Sequence, residues 1–328
     1  MILLPYPDDL QLINKLLIKT NLFTLLFLLQ LSLPVSYASE SNQTVQLLSI
    51  SGHQVKLSLP KGYSVELLSP LNSPRLFVFG PDNELIIGTK SSLIYRLKEP
   101  YDKVELLAKI PATRAVHSVV IKDGYLYAAD SCAVWRSRYA LNFNARFEKY
   151  VDLPCERGGH YTRTLVAGPD NQLYVSLGIS GNCSNEYLDN SYPFQRRRGG
   201  IYRIDENKYS AVPQLSPFAS GLRNPIGLAF SPDGSLYATN AGSDNLGYNL
   251  PPEVLAKTAT NSFHGMPWFQ YYGGKFQSGK CAQSQPPKPA SEATPPAATF
   301  YARSTPIGID FITTDIEDDI KQGDAVVA

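Results

Sequence analysis

The sequence has little net charge, few cysteines and no long basic segment. Lysine and arginine together number 30 and acidic residues number 29, so the net charge is +1. That balance gives no electrostatic reason to expect a nucleic acid or a membrane surface as a partner. The densest basic run, Arg196–Arg198, has three residues, and we interpret it as a solvated loop. The four cysteines contain no Cys-x-x-Cys pair, which argues against a zinc or thiol-redox site.

The first 38 residues have the pattern of a secretory signal peptide. Two lysines precede an apolar run from Leu22 to Leu33, and the small residues Ser36 and Ala38 suit a cleavage site. The run is shorter than the roughly 20 residues that cross a bilayer. An uncleaved N-terminal anchor is the alternative. We therefore expect residues 39–328 to be periplasmic or secreted, with no membrane association after cleavage.

Export bears on the cysteines, because an oxidising compartment allows an even number of them to pair. Three connectivities are possible among Cys132, Cys155, Cys183 and Cys281. Structural disulfides and plain buried thiols are both open interpretations. Our first choice for a pair is Cys132 with Cys155.

A short phrase that recurs four times predicts the architecture. Each copy has an Asp with Asn or Gly, which favours a turn, followed by an alternating run of β-forming residues. The marker aspartates lie at positions 82, 123, 170 and 233, at spacings in or above the range of propeller blades. The 20 tyrosines and 14 phenylalanines suit the space between packed blades. The sequence therefore predicts one all-β domain over residues 39–328, a β-propeller of stacked four-stranded sheets.

The last residues predict a further, partial unit. Pro306–Phe311 has the pattern of another strand, and the apolar run that ends at Ala328 has no closing turn. Four marked units and a partial fifth would leave a propeller ring open. We therefore expect the chain to be a fragment that lacks its last blades.

Two clusters of polar residues between the predicted strands are candidates for chemistry. His160 follows two glycines and precedes a strand, and a histidine that titrates near neutrality can abstract a hydroxyl proton. Arg223 and Asn224 precede a proline and a buried strand, where a guanidinium suits carboxylate or quinone oxygens. The alternatives are a histidine that only caps a loop and an arginine that ties two blades together. We interpret the other histidines, His53, His117 and His264, as structural.

These motifs carry a resemblance to a known family. The segments are His-Tyr-Thr-Arg-Thr before Gly-Pro-Asp-Asn-Gln-Leu-Tyr-Val, Gly-Leu-Arg-Asn-Pro-Ile-Gly-Leu-Ala-Phe, and Phe-His-Gly-Met-Pro. Together they resemble the glucose/sorbosone dehydrogenase family, and its sorbosone dehydrogenase branch more closely, over roughly residues 63–328. Members of that family are soluble, exported, six-bladed propellers that oxidise sugars with pyrroloquinoline quinone and calcium. The resemblance thus implies a six-bladed propeller that is incomplete at its C-terminus.

The resemblance also implies roles for particular residues. His160 would take the proton of the anomeric hydroxyl while hydride passes to the quinone, and the electrons would go on to an unknown acceptor. Arg223 would lie against the quinone oxygens with Asn224 beside it, and Arg75 is a further cofactor contact.

The same matching implies a metal site and reveals a departure from the family. The backbone carbonyls of Gly242 and Ser243 would hold calcium, although Ser243 stands where a proline is more usual. In the glucose-oxidising branch an acidic residue supports the histidine, whereas Ile179 occupies that place here. The departure leaves His160 without a carboxylate partner.

Two other functions remain open from the sequence. One is a non-enzymatic propeller that binds a carbohydrate or a protein on its loop face. The other is a metal-dependent lactonase-type propeller, which needs a cluster of carboxylates and amides. Its candidate ligands are Asp130, Asn182, Asn224 and Asp244.

Overall fold

The structure is a computed structural model, and it describes residues 2–3, 43–50, 52–111, 115–140, 145–155, 159–206, 212–282, 284–316 and 320–328. The chain divides into two compact units, residues 6–70 and residues 1–5 with 71–328. The predicted signal peptide lies outside the described residues except for Ile2 and Leu3. The described part of the chain contains no helix long and apolar enough to cross a membrane.

The strands are numbered in chain order. The first, β1 (Ile2–Leu3), belongs to the larger unit. In the smaller unit, β2 (Gln43–Ile50) and β3 (His53–Pro60) form an antiparallel hairpin. The side chain of Gln46 holds the segment after this hairpin, because it accepts from the Val65 N–H at 2.8 Å and donates to the Val65 carbonyl at 2.6 Å.

Four antiparallel sheets of the larger unit are propeller blades. Each blade has four strands, and the strands of the first three blades follow one another in chain order from the inner to the outer edge. The first two blades consist of β4 (Pro74–Phe79), β5 (Leu85–Thr89), β6 (Leu93–Leu97) and β7 (Glu105–Lys109), then β8 (Ser118–Lys122), β9 (Tyr125–Ala129), β10 (Ala133–Arg138) and β11 (Glu148–Asp152).

The third and fourth blades have additions to this pattern. The third has β12 (Leu165–Ala167), β13 (Leu173–Leu177), β14 (Gly200–Asp205) and β15 (Gln214–Ser220), and β19 (Ser262–Phe263) pairs with β15 in parallel. In the fourth, a long excursion separates the outer strand from the other three, so its strands are β16 (Pro225–Phe230), β17 (Leu236–Asn240), β18 (Glu253–Thr258) and β22 (Ala298–Phe300).

The remaining strands form two small sheets. The excursion of the fourth blade contains the hairpin of β20 (Phe269–Tyr272) and β21 (Lys275–Ser278). A three-stranded sheet consists of β23 (Ile309–Phe311), β24 (Ala325–Val327) and β1. Short 3-10 helices lie at Phe194–Arg196 and Ala290–Glu292. The described residues thus confirm an all-β propeller with four blades, and the predicted six blades remain a prediction.

The repeated turn phrase joins the inner strand of each blade to the next strand. Asn83, Asp123, Asn171 and Gly234 lie in these four turns, and all have positive φ between 50° and 80°. Asparagine, aspartate and glycine tolerate this left-handed conformation better than other residues. The hairpins predicted from the phrase are confirmed.

Aromatic side chains fill space between neighbouring blades, as predicted. The ring of Tyr174 on β13 lies 4.9 Å from the ring of Phe218 and 5.3 Å from that of Phe230 on β16 of the next blade. Both contacts are edge-to-face, a favourable geometry for aromatic pairs. The inner strands β4, β8, β12, β16 and β23 line a central channel of about 560 Å³.

The four cysteines form two disulfides. Cys132 is bonded to Cys155, which confirms the first choice from the sequence, and Cys183 is bonded to Cys281. The second disulfide joins the loop after β13 to the loop after β21, across 98 residues of sequence. It therefore fixes the loop that carries Ile179 and Asn182.

Thiol titration tests both disulfides. Titration of the purified protein in denaturant without reductant should find no free thiols, and prior reduction should release four. Because cross-links restrict the unfolded chain, reduction should also lower the free energy of unfolding by about 2–4 kcal/mol per bond. Two or four thiols in the unreduced protein would contradict this pairing.

Candidate functional site

Two of the predicted site residues, His160 and Asn224, meet at one glycine, and Arg223 directly precedes Asn224. His160 precedes β12, and Arg223 and Asn224 directly precede β16. Gly178, the residue after β13, separates them, because a Cβ atom added there would lie 2.5 Å from the His160 Cβ and 2.6 Å from the Asn224 Oδ1. The segments before two inner strands can therefore approach this closely only because residue 178 has no side chain.

The backbone of Ile179 fixes the imidazole of His160. Its carbonyl lies 2.8 Å from the His160 Nδ1 and also accepts the His160 N–H at 3.3 Å. A carbonyl oxygen only accepts hydrogen bonds, so Nδ1 carries the ring proton of a neutral imidazole. The Nε2 atom is then unprotonated and can accept a proton.

The surroundings of His160 favour this neutral form. Burial is the largest cause that lowers its pKa to about 4, the charges of Arg223, Arg198 and Arg163 act in the same direction, and the hydrogen bond to Ile179 opposes them. Desolvation and nearby positive charge both disfavour an imidazolium. At neutral pH the side chain is therefore a base that holds no extra proton.

Two buried arginines hold the backbone of the histidine. Nη1 of Arg163 and Nη2 of Arg198 each donate to the His160 carbonyl at 3.0 Å. Arg198 also donates to the Gly178 carbonyl at 2.8 Å, so it connects both sides of the contact. The interpretation of Arg196–Arg198 as a solvated loop is wrong for Arg198, whose relative exposure is 0%. Its sequence neighbours are polar, and the carbonyls that it binds are distant in sequence.

Arg223 joins two loops at the site. Its Nε donates to the Asn182 carbonyl at 3.0 Å, and its Nη2 donates to the Asn182 Oδ1 at 2.9 Å. On the other side, Nη1 donates to the Ala241 carbonyl at 3.3 Å. The guanidinium is buried, and its charge lies near His160. Arg223 thus both ties the two loops together and supplies positive charge.

Asn224 presents an unsatisfied acceptor. Its backbone is paired, since the N–H donates to the Asn240 Oδ1 at 2.9 Å and the carbonyl accepts from the Ala241 N–H at 3.2 Å. Its side-chain Oδ1 is buried and has no hydrogen-bond partner among the described residues. A buried polar atom without a partner is costly, so this oxygen suits a ligand donor such as a hydroxyl or an N–H.

Arg75 lies at the mouth of the central channel. It lines a cavity of about 390 Å³ together with Lys90, His117 and Tyr161, the residue after the candidate base. His117 is buried, and both of its ring nitrogens lack partners among the described residues. Burial, together with the charges of Arg75, Arg163 and Lys90, lowers the pKa of His117 to about 4. The mouth is therefore positively charged and contains unused hydrogen-bonding groups.

The predicted calcium ligands lie in the turn after β17. Gly242 donates its N–H to the Glu253 Oε2, and Ser243 is fully buried. The Ser243 carbonyl accepts a hydrogen bond from Arg303 Nη1 at 2.9 Å. The same nitrogen lies 3.0 Å from the Asp244 Oδ1. The sequence analysis did not identify Arg303, which is 60 residues from Ser243 along the chain.

A carboxylate does lie near the place where the family has an acidic residue. Glu186 is buried, and its Oε2 accepts from the Ser180 N–H at 2.5 Å and from the Ser184 Oγ at 3.2 Å. It thus orders the loop after Ile179, while the ring of His160 is held by a carbonyl.

The ligand set considered for a lactonase has other roles. Both carboxylate oxygens of Asp130 accept hydrogen bonds within blade two, from the N–H groups of Cys132 and Ala133 and the indole of Trp135. Asn182 is bound to Arg223. Within the described ranges, no group of three or more His, Cys, Asp or Glu residues could hold a metal ion.

Fold and site together define a propeller with a neutral histidine and fixed arginines beside a positively charged channel mouth. The chain belongs to the TrAA12-like family, whose model matches residues 57–261.

The similar proteins agree with this family. Quinoprotein glucose dehydrogenase B from Acinetobacter calcoaceticus is 24% identical over an alignment of 232 residues, with coverage of 55% of this chain and 48% of that protein. The chain thus spans about half the length of this curated relative. The matches confirm the resemblance to soluble quinone-dependent sugar dehydrogenases that the sequence motifs carried.

Solved structures show the same fold at low sequence identity. A calcium structure of a Trichoderma reesei carbohydrate-active enzyme of family AA12 has a TM-score of 0.62 and 19% identity, over 74% of this chain and 71% of that one. The holo form of the pyranose dehydrogenase PQQ domain from Coprinopsis cinerea has a TM-score of 0.58 and 15% identity, over 76% and 69%.

Substitution of Gly178 tests the close contact at the site. Gly178→Ala should lower the free energy of unfolding by about 1–3 kcal/mol, because the added methyl overlaps His160 and Asn224. Gly181→Ala is the matched control, since its nearest atom would lie at 3.8 Å. Chemical denaturation measures both variants, and equal stabilities would contradict the geometry.

Proposed function

We propose that this protein is an exported oxidoreductase that oxidises a sugar at its anomeric carbon with pyrroloquinoline quinone as cofactor. The observation that carries the proposal is the neutral imidazole of His160, whose Nδ1 is held by the Ile179 carbonyl. Its Nε2 is then a base, and the charges of Arg223 and Arg198 lie close enough to help keep it unprotonated. Membership of the TrAA12-like family and the quinone-dependent relatives support this reaction class.

His160 acts as the general base. Its Nε2 takes the proton of the anomeric hydroxyl, and the Nδ1–H bond to Ile179 stabilises the positive charge that the ring acquires. When bound, pyrroloquinoline quinone supplies the carbon that accepts hydride from the anomeric C–H bond. Loss of that hydride and proton converts an aldose into its lactone.

Arg223 supplies fixed positive charge where negative charge develops. Three of its N–H groups are used inside the protein, so the guanidinium is held in place before any ligand binds. A preorganised charge costs no reorganisation during the reaction and stabilises the reduced cofactor. Asn224, whose Oδ1 has no described partner, accepts a hydrogen bond from the bound ligand.

The channel mouth fits an anionic quinone. Arg75 and Lys90 are exposed cations that line one cavity with His117, and pyrroloquinoline quinone carries several carboxylates. Arg75, which the family resemblance implies as a cofactor contact, would bind a carboxylate there. The described residues at this mouth therefore provide both the charge and the unused hydrogen-bonding groups that such a cofactor needs.

The predicted calcium ligands are engaged by a protein cation. The Ser243 carbonyl, one of the two predicted ligands, already accepts a hydrogen bond from Arg303. The fixed positive charge of that guanidinium would repel a metal ion at the oxygen, so calcium takes no part in the proposed reaction.

The same site and the two disulfides support the proposed partners and location. The substrate is a small sugar, and the electrons leave to an acceptor that the site does not identify. Two disulfides are typical of proteins in an oxidising compartment, which supports a periplasmic or secreted protein. The six-bladed form of the propeller and the signal peptide over residues 1–38 belong to this proposal.

Cofactor reconstitution tests the proposed function. Pyrroloquinoline quinone is added to the purified protein, its binding is followed by absorbance, and dye reduction is measured with a panel of aldoses and sorbosone. We expect sugar-dependent turnover that requires the quinone. Absence of quinone binding would contradict the proposal and would favour a non-enzymatic propeller that binds a carbohydrate or a protein.

Substitution of the base tests its role. His160→Ala should reduce kcat by about 100-fold or more while the quinone still binds, because proton removal loses its acceptor. His53→Ala is the matched control, since His53 is exposed in the hairpin of the smaller unit, and it should keep wild-type turnover. Equal turnover in the two variants would show that His160 is not the base.

The pH profile tests the protonation state. A base must be unprotonated, and the pKa of His160 is lowered to about 4, so kcat should not change with pH around neutrality. Turnover should fall about tenfold per pH unit below about pH 4, where the imidazole gains its second proton. A kcat that already declines near pH 6.5, the ordinary pKa of histidine, would contradict the lowered value.

A further inference from the structure

Arg303 extends a charged side chain into the turn that was predicted to hold calcium. The residue lies between β22 and β23, and its guanidinium reaches the loop that follows β17. Nη1 donates to the Ser243 carbonyl at 2.9 Å and pairs with the Asp244 Oδ1 at 3.0 Å. Nη2 donates to the carbonyls of Gly247 and Leu250, the latter at 3.0 Å.

The backbone of Arg303 is fixed as well. Its N–H donates to the Glu253 Oε1 at 2.9 Å, while the other oxygen of that carboxylate accepts the Gly242 N–H. One buried carboxylate therefore holds both the predicted metal-binding turn and the backbone that carries the guanidinium. The contacts are made to oxygen atoms, which are also the ligands that calcium requires.

The charges around this turn are balanced without a metal ion. Asp244 pairs with Arg303 through Oδ1, and its Oδ2 lies 3.8 Å from Arg223 Nη2. Glu253 adds a second carboxylate, so two guanidiniums face two carboxylates. A divalent cation at the Ser243 carbonyl would add two positive charges beside a guanidinium that cannot lose its proton.

We propose that Arg303 replaces calcium at the turn formed by Gly242, Ser243 and Asp244, so that this chain supplies its cation from a side chain. Only the identity of the ligand at this turn, a bound quinone, rests on the proposed function. An oxygen-bearing ligand beside Ser243 would contact a guanidinium in place of a metal ion. The side chain is 22% exposed, and its Nε–H donates no hydrogen bond among the described residues, so it can still donate to a ligand.

Calcium binding without quinone or sugar tests the proposal. The wild-type protein should show no saturable calcium binding tighter than on the order of 1 mM in calorimetry. Arg303→Gln removes the charge and frees the oxygens, so it should gain a calcium site with an apparent Kd at least about tenfold lower. Adding Asp244→Asn should abolish that gain, because it removes a carboxylate ligand.

A matched variant and a thermal readout complete the experiment. Arg96→Gln is the control, since Arg96 is also ion-paired, to Glu105 at 2.9 Å in the first blade, and it should leave calcium binding unchanged. Arg303→Lys keeps a positive charge and should remain free of calcium. Calcium should raise the Tm of Arg303→Gln and leave the wild-type Tm unchanged.

Two results would overturn the proposal. One is tight calcium binding by the wild-type protein that Asp244→Asn weakens, and this measurement does not depend on the folding of any Arg303 variant. The other is a folded Arg303→Gln variant that gains no calcium. Because neither quinone nor sugar is present, both results are independent of whether the protein oxidises sugars.

Discussion

The hydrogen bond between the His160 Nδ1 and the Ile179 carbonyl is the interaction on which the candidate site depends. It fixes the tautomer, and thereby leaves Nε2 as the base. The bond requires two chain segments to approach across Gly178, where no side chain fits. Arg163 and Arg198 complete the arrangement by holding the His160 carbonyl from the buried side. A neutral histidine surrounded by fixed cations is thus a product of the backbone as much as of the side chains.

The Ile179 carbonyl orients the imidazole of His160, as a carboxylate in that place would. Both groups orient an imidazole by accepting its Nδ1 proton, but a carbonyl carries no full negative charge. It therefore stabilises an imidazolium less, which agrees with the lowered pKa of His160. The negative charge near the site is instead at Asp244, which lies between the guanidiniums of Arg223 and Arg303. The site thus has a neutral base in one place and, in another, a cluster in which guanidiniums and carboxylates balance each other's charge.

Short-range patterns in the sequence predicted much of the fold, whereas contacts between segments distant in sequence could not be predicted from them. The turns at Asn83, Asp123, Asn171 and Gly234 were predictable because their residue types suit a left-handed backbone. His160 was found because it lies in a recognisable local motif. The role of Arg198 was missed because the carbonyls that it binds belong to residues 160 and 178. Arg303 lies in no motif, and only the folded chain brings it to Ser243.

The central claim is that the fold creates a neutral histidine with its base nitrogen unprotonated. Nitrogen NMR of protein labelled at histidine, with His160 assigned by comparison with His160→Ala, measures the protonation of both ring nitrogens directly. The account predicts an Nδ1–H, Nε2-unprotonated ring for His160 at about pH 7, with the ring still neutral at about pH 5. A protonated Nε2 at about pH 7, either in the other tautomer or in an imidazolium, would contradict it.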